Sequence, residues 1–179
     1  MKTIKYIINR LAIITLLMSS TVFLGCSKDD EVEEPPIDQT ISFKVDLIKL
    51  TGIATSGDGN SELEVYGNIS TRLNVGSLYN EETLWNKEQQ DYVSITEADF
   101  PISTSKTFNV LESQLSEVSI DLTANLMEYD SNVNNEDDPI GNETLTTLLS
   151  GLSSTTTYEI LLDDTENQEV QVTYSITRL

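Results

Sequence analysis

Two short stretches of this sequence concentrate side chains that could do chemistry. The first is Ser56-Gly57-Asp58-Gly59-Asn60-Ser61, which runs into Glu62-Leu63-Glu64-Val65. Its glycines permit the sharp reversals that let carbonyls and carboxylates converge. The second extends from Glu128 to Gly141, and six of the seven residues from Asn132 to Asp138 carry a carboxylate or an amide. Crowding so many acids is unfavourable unless water or a hard cation screens them. Ca²⁺, which takes oxygen ligands from flexible loops, is the economical screen.

Composition excludes several alternatives. The chain has 179 residues with 30 Asp and Glu, 10 Lys and Arg, no His and one Cys. Without histidine there is no imidazole base, relay or metal ligand. A single cysteine, Cys26, forms no intramolecular disulfide and no Cys-x-x-Cys pair. The formal net charge of -20 argues against nucleic acid, because affinity for phosphate comes from Lys and Arg displacing counterions. No nucleophile, base or cleft signature points to an enzyme. Ser103-Thr104-Ser105-Lys106 spells a Ser-x-x-Lys, but Lys106-Thr107 is followed by Phe108 rather than glycine, and it reads as a chance match in a Ser/Thr-rich chain. Asp163-Asp164 reads as a pair of turn acids, and Trp85 with Tyr92 as core or edge aromatics before a sugar platform.

The elements that must position the loops are strands. Ile41, Phe43, Val45 and Leu47 alternate with polar residues, and the phase then changes through Ile48 to Leu50 as a bulge allows. Leu63 to Leu73 alternates for a full strand, and so does Val118 to Leu126. Tyr92 to Ile95, Thr107 to Leu111, Thr157 to Leu162 and Val170 to Ile176 supply the rest, the last two as a hairpin around Asp163 to Asn167. Asn80 to Gln90 is the one segment expected to form a short helix, from its acid-rich start. The fold expected is all-β, a single antiparallel two-sheet β-sandwich of seven or eight strands with its chemistry in end loops.

The first residues read as an address. Lys2, Lys5 and Arg10 precede a mostly apolar run from Leu11 to Gly25, which is the layout of a secretory signal and too short for a spanning helix. Phe23-Leu24-Gly25-Cys26 resembles a bacterial lipoprotein processing site, with Phe23 where that family usually carries Leu. The resemblance implies that Cys26 becomes the lipidated first residue, held to the membrane by acyl chains such as palmitate. Ser27-Lys28-Asp29-Asp30-Glu31 is similar to the signal that sends Bacteroidetes-type lipoproteins to the outer face of the outer membrane. The organisation expected is a signal peptide over 1–25, a lipidated acidic tether over 26–39 and a sandwich over 40–179.

The acidic loops carry parts of two calcium-binding patterns. Asp130, Asn132 and Asn134 fit the first places of an EF-hand loop, but Asn135 stands where glycine is required and Gly141 where a bidentate Glu is required. With its preceding strand included, the second loop resembles the third loop of the calcium- and lipid-binding sandwich of protein kinase C and synaptotagmin, the C-two domain. The resemblance implies that Glu128 and Asp130 match that family's acid pair and Asp138 its closing acid, and that Asp58 and Glu64 match the acids of its first loop. Asp137 and Asn60 are the substitutes. The basic strand that holds anionic lipid heads in that family has no counterpart here. The function expected is a surface binding or structural module that takes Ca²⁺ and presents a fixed face to an extracellular protein or glycan. A metal-free adhesion or polysaccharide-binding accessory is the alternative.

Overall fold

The computed structural model describes residues 37–56, 61–130 and 136–179. The signal segment, Cys26 and most of the tether lie outside them, as do Asp58, Asn60 and the middle of the second acidic loop.

Period-two burial builds the elements. The strands are β1 (Thr40–Thr55), β2 (Leu63–Val75), β3 (Leu78–Lys87), β4 (Val93–Ile95), β5 (Asp99–Leu111), β6 (Val118–Glu128), β7 (Asp138–Leu148), β8 (Thr156–Thr165) and β9 (Gln168–Arg178). They form two antiparallel sheets, one ordered β5-β1-β9-β8 and the other β3-β2-β6-β7 with β4 beside β2. This is the expected two-sheet sandwich, with nine strands among the described residues where seven or eight were expected. The phase change in β1 is a bulge: Leu47 and Leu50 both face inward, and Ile48 is exposed between them.

The core fills the space between the sheets. Phe43, Val45 and Leu47 of β1, with Val172, Tyr174 and Ile176 of β9, meet Leu63, Val65 and Ile69 of β2 and Ile120, Leu122 and Leu126 of β6, all essentially inaccessible.

One expectation is corrected. The segment from Asn80 to Gln90 is strand to Lys87, followed by a short 3₁₀ turn at Gln89–Asp91. The tight turn at Gly76, with φ of 58°, folds β3 back on β2, so Leu78 pairs with Val75 and Glu81 with Arg72. Backbone pairing and the burial of Leu84 and Trp85 override the helical tendency of the glutamates.

The two ends of the sandwich differ. Thr40 pairs with Leu111 at one end, where the Ser113 backbone N–H donates to Asp38 Oδ1 at 3.1 Å and the Glu112 N–H to the Gln39 carbonyl at 2.8 Å. Thr55 pairs with Gln168 at the other. β1 is 16 residues long, so at about 3.3 Å per residue it separates these ends by about 50 Å. Thr55, before the first acidic loop, and Glu128 and Asp138, which flank the second, are at the end away from Asp38.

The outer face of the second sheet holds a buried carboxylate in a closed network. Asp121, 6% exposed, accepts from Arg72 Nη2 at 2.7 Å, Thr146 Oγ1 at 2.7 Å and Asn74 Nδ2 at 3.0 Å. Burial pushes its pKa up, but the bonds from Thr146, Arg72 and Asn74 outweigh burial and hold it below the usual carboxylate value. A depressed folded pKa gives stability that is present in full above the unfolded value of about 3.9 and is lost as pH falls below it toward the folded value. Asp121→Asn is therefore expected to lower stability at pH 7 and to flatten its acid-side decline, read from urea midpoints between pH 7 and pH 2.5. An unchanged slope would contradict this.

Candidate functional site

At one end of the sandwich β6 finishes and β7 and β9 begin. Glu128, the last residue of β6, keeps the inward phase of Leu122, Ala124 and Leu126 and is only 4% exposed. Asp138, the first residue of β7, stands directly opposite it in the ladder. Gln168, the first residue of β9 in the other sheet, is 1% exposed. Its Nε2 donates to Glu128 Oε2 and, at 3.4 Å, to Asp138 Oδ2. Thr165 Oγ1 donates to the Pro139 carbonyl at 2.7 Å and adds a second tie from the β8–β9 turn to β7. Two carboxylates and one amide thus bridge the two sheets at this end.

Asp137 fastens the acidic loop instead. Its Oδ2 accepts from Tyr66 Oη at 2.7 Å and Gln89 Nε2 at 2.5 Å, and its Oδ1 from the Asp130 backbone N–H at 3.2 Å. Partial burial pushes the Asp137 pKa up, but these bonds bring it below the usual value. Tyr66 is pushed up to about 12, first by burial and then by the Asp137 carboxylate.

Glu64 lies on the outward phase of β2, between inward Leu63 and Val65, so it faces away from Glu128. Its carboxylate accepts a hydrogen bond from Tyr92, which raises the Tyr92 pKa. Tyr92 stacks on Tyr129 at 5.2 Å, and the Tyr129 N–H donates to the Glu64 carbonyl at 2.8 Å. Glu64 therefore belongs to an aromatic clasp.

Of the five acids singled out in the sequence, Glu128 and Asp138 converge, Asp130 is joined to Asp137 through its backbone, Glu64 faces the other side of the sheet, and Asp58 lies outside the described residues. Among the described residues no three acids group in a way that could hold a metal ion. The residue that sequence reasoning missed is Gln168. Its signal was phase: it shares the inward face with Val170, Val172 and Tyr174, where a polar residue at a strand's start is exceptional.

Gln168 also bears on calcium. Its Oε1 is buried with no hydrogen-bond partner, which is costly for a carbonyl. Glu128, Asp138 and this oxygen are hard donors of the kind Ca²⁺ takes. The two carboxylates fit the ion, and the Gln168 Nε2–H that faces both of them would have to turn away for one to bind. The described ion pairs, such as Lys49 with Asp99 at 2.8 Å and Lys87 with Asp91 at 2.6 Å, neutralise other acids near this end.

No family model matches the chain, and no curated protein matches it. Solved structures similar to it include a C-two domain of plant extended synaptotagmin 1, with 9% identity, a TM-score of 0.44, and coverage of 81% of this chain and 96% of that one. A human GIVD cytosolic phospholipase is similar at 11% identity and a TM-score of 0.42, over 79% of this chain and 17% of that one. The two C-two domains of extended synaptotagmin 2, solved with calcium bound, are similar at 13% identity and a TM-score of 0.39, over 81% and 47%.

Proposed function

We propose that this chain is a bacterial lipoprotein of the outer membrane, carried on acyl chains at Cys26 and displayed at the cell surface. Its sandwich is a binding or structural module, not an enzyme, and takes Ca²⁺ in its end loops. The observation that carries the calcium half is the convergence of Glu128 and Asp138 on Gln168. Glu128 and Asp138 would hold the ion in place of the Gln168 N–H donor between them, and the ion would supply charge neutralisation.

The Ser27-Lys28-Asp29-Asp30-Glu31 segment after Cys26 supports the display half. Asp38, where the described sandwich begins, is at the end of β1 opposite Thr55. An extracellular protein or glycan is the partner class such a module would meet. Cys26→Ser is expected to move the protein from the membrane to the soluble fraction, and protease added to intact cells is expected to remove the sandwich from the wild type. Retention of Cys26→Ser in the membrane fraction contradicts the anchor. Protection from protease contradicts surface display. Thermal unfolding with and without calcium tests the metal.

A further inference from the structure

The outer face of the second sheet carries a row of asparagines in register. Asn86 of β3 pairs with Asn68 of β2, Asn68 with Asn125 of β6, and Asn125 with Asn142 of β7. The amides cross four adjacent strands on one face. Asparagine is depleted in strands, so four aligned copies need a reason. Folding does not supply one. Asn74, on the same face, is committed to Asp121 at 3.0 Å and to Ser119 at 3.3 Å. In the row, Asn68 Nδ2 reaches the Trp85 carbonyl at 3.4 Å and Asn86 Nδ2 reaches Glu88 Oε1 at 3.5 Å, both at the outer limit of a hydrogen bond. Asn125 and Asn142 are exposed, and no hydrogen bond of either side chain is found among the described residues.

The neighbouring rows sharpen the chemistry. On one side Tyr66 pairs with Met127 and Met127 with Pro139, which gives a strip with apolar surface. The Tyr66 ring is fixed there by its hydroxyl bond to Asp137. On the other side Ser70 pairs with Thr83 and Thr123, and Thr123 with Thr144, which gives a row of hydroxyls. Asn68, Asn86 and Asn125 line a surface depression of about 380 Å³ with Tyr66, Met127 and the oppositely charged Lys87 and Glu88, within the range of small-ligand sites.

We propose that this face binds a neutral glycan chain along the asparagine row. Amides offer both donors and acceptors, which is what vicinal hydroxyls require, and the Tyr66 and Met127 strip suits the C–H face of a sugar ring. Strands spaced about 4.8 Å apart repeat the amides at close to the residue spacing of an extended glycan. Neutral amides on a chain of formal charge -20 favour an uncharged ligand over an acidic polysaccharide. The row faces away from Glu128, so this site and the calcium reading stand or fall separately.

The test is electrophoresis of the full chain, in non-ionic detergent and EDTA, through gels containing β-glucan, xylan, galactomannan or polygalacturonate. Retardation by at least one neutral polysaccharide is expected, with affinity reduced at least about tenfold in Asn68→Ala/Asn125→Ala and in the isosteric Asn125→Asp, at unchanged thermal midpoint. Migration unaffected by every neutral polysaccharide overturns the proposal. So does retardation by polygalacturonate alone, or retardation that survives both variants.

Discussion

Gly67→Ala is expected to destabilise the protein by about 3 to 5 kcal/mol, the sum of backbone strain and overpacking. Gly67 sits in the middle of β2 with φ of +125°, where a side chain is strained, and a Cβ there would lie 2.2 Å from the Asn125 carbonyl oxygen and 3.1 Å from Leu126 Cα. Both are backbone atoms of β6, the strand hydrogen-bonded to β2. Relief requires the two central strands of the sheet to separate. That sheet carries half of the core, so the loss spreads beyond one position. Against a total of about 5 to 15 kcal/mol for a typical domain, the variant is expected to unfold at a much lower urea concentration. A loss under about 1 kcal/mol would mean that β2 and β6 are not paired as described.

Gln168→Leu is expected to cost about 2 to 3 kcal/mol in the absence of calcium, because it removes a donor from a buried carboxylate. Glu128 is 4% exposed, so water does not readily replace the lost bond. Glu128→Leu/Gln168→Leu is expected to recover part of the loss, since removing both partners removes the desolvation penalty with them. A double variant less stable than Gln168→Leu alone would show that Glu128 is held mainly by other contacts. Denaturant unfolding of the three variants in EDTA reads the coupling.

How far the sequence reached can be judged at particular residues. The inward phases of β1, β2, β6 and β9 were legible because each strand is half-buried, and alternation then reports directly on which face meets the core. The bulge after Leu47 was legible for the same reason. β3 was not, because it carries the consecutive Glu81 and Glu82, whose composition reads as helix, and its pairing partner is set by a turn rather than by its own pattern. At the site, the sequence identified the acids but not their geometry. Glu128 and Asp138 are opposite one another through strand pairing across the nine residues 129–137, and no spacing rule announces that. Glu64 was assigned to the same cluster on spacing alone, yet one residue of phase puts it on the opposite face. Gln168 and the asparagine row were invisible for a related reason: each acquires meaning only from residues brought beside it by register.

The most direct test of the proposed calcium-binding module is thermal unfolding of the full chain in detergent, first in excess EDTA, then in millimolar Ca²⁺, with Mg²⁺ as the control for general charge screening. At about 100 times its dissociation constant, a ligand adds roughly 2.7 kcal/mol, which for a domain of this size raises the midpoint by several degrees. The predicted result is a rise selective for calcium that is lost in Asp138→Asn. No rise, or an equal one with Mg²⁺, would contradict a calcium site at this end of the sandwich.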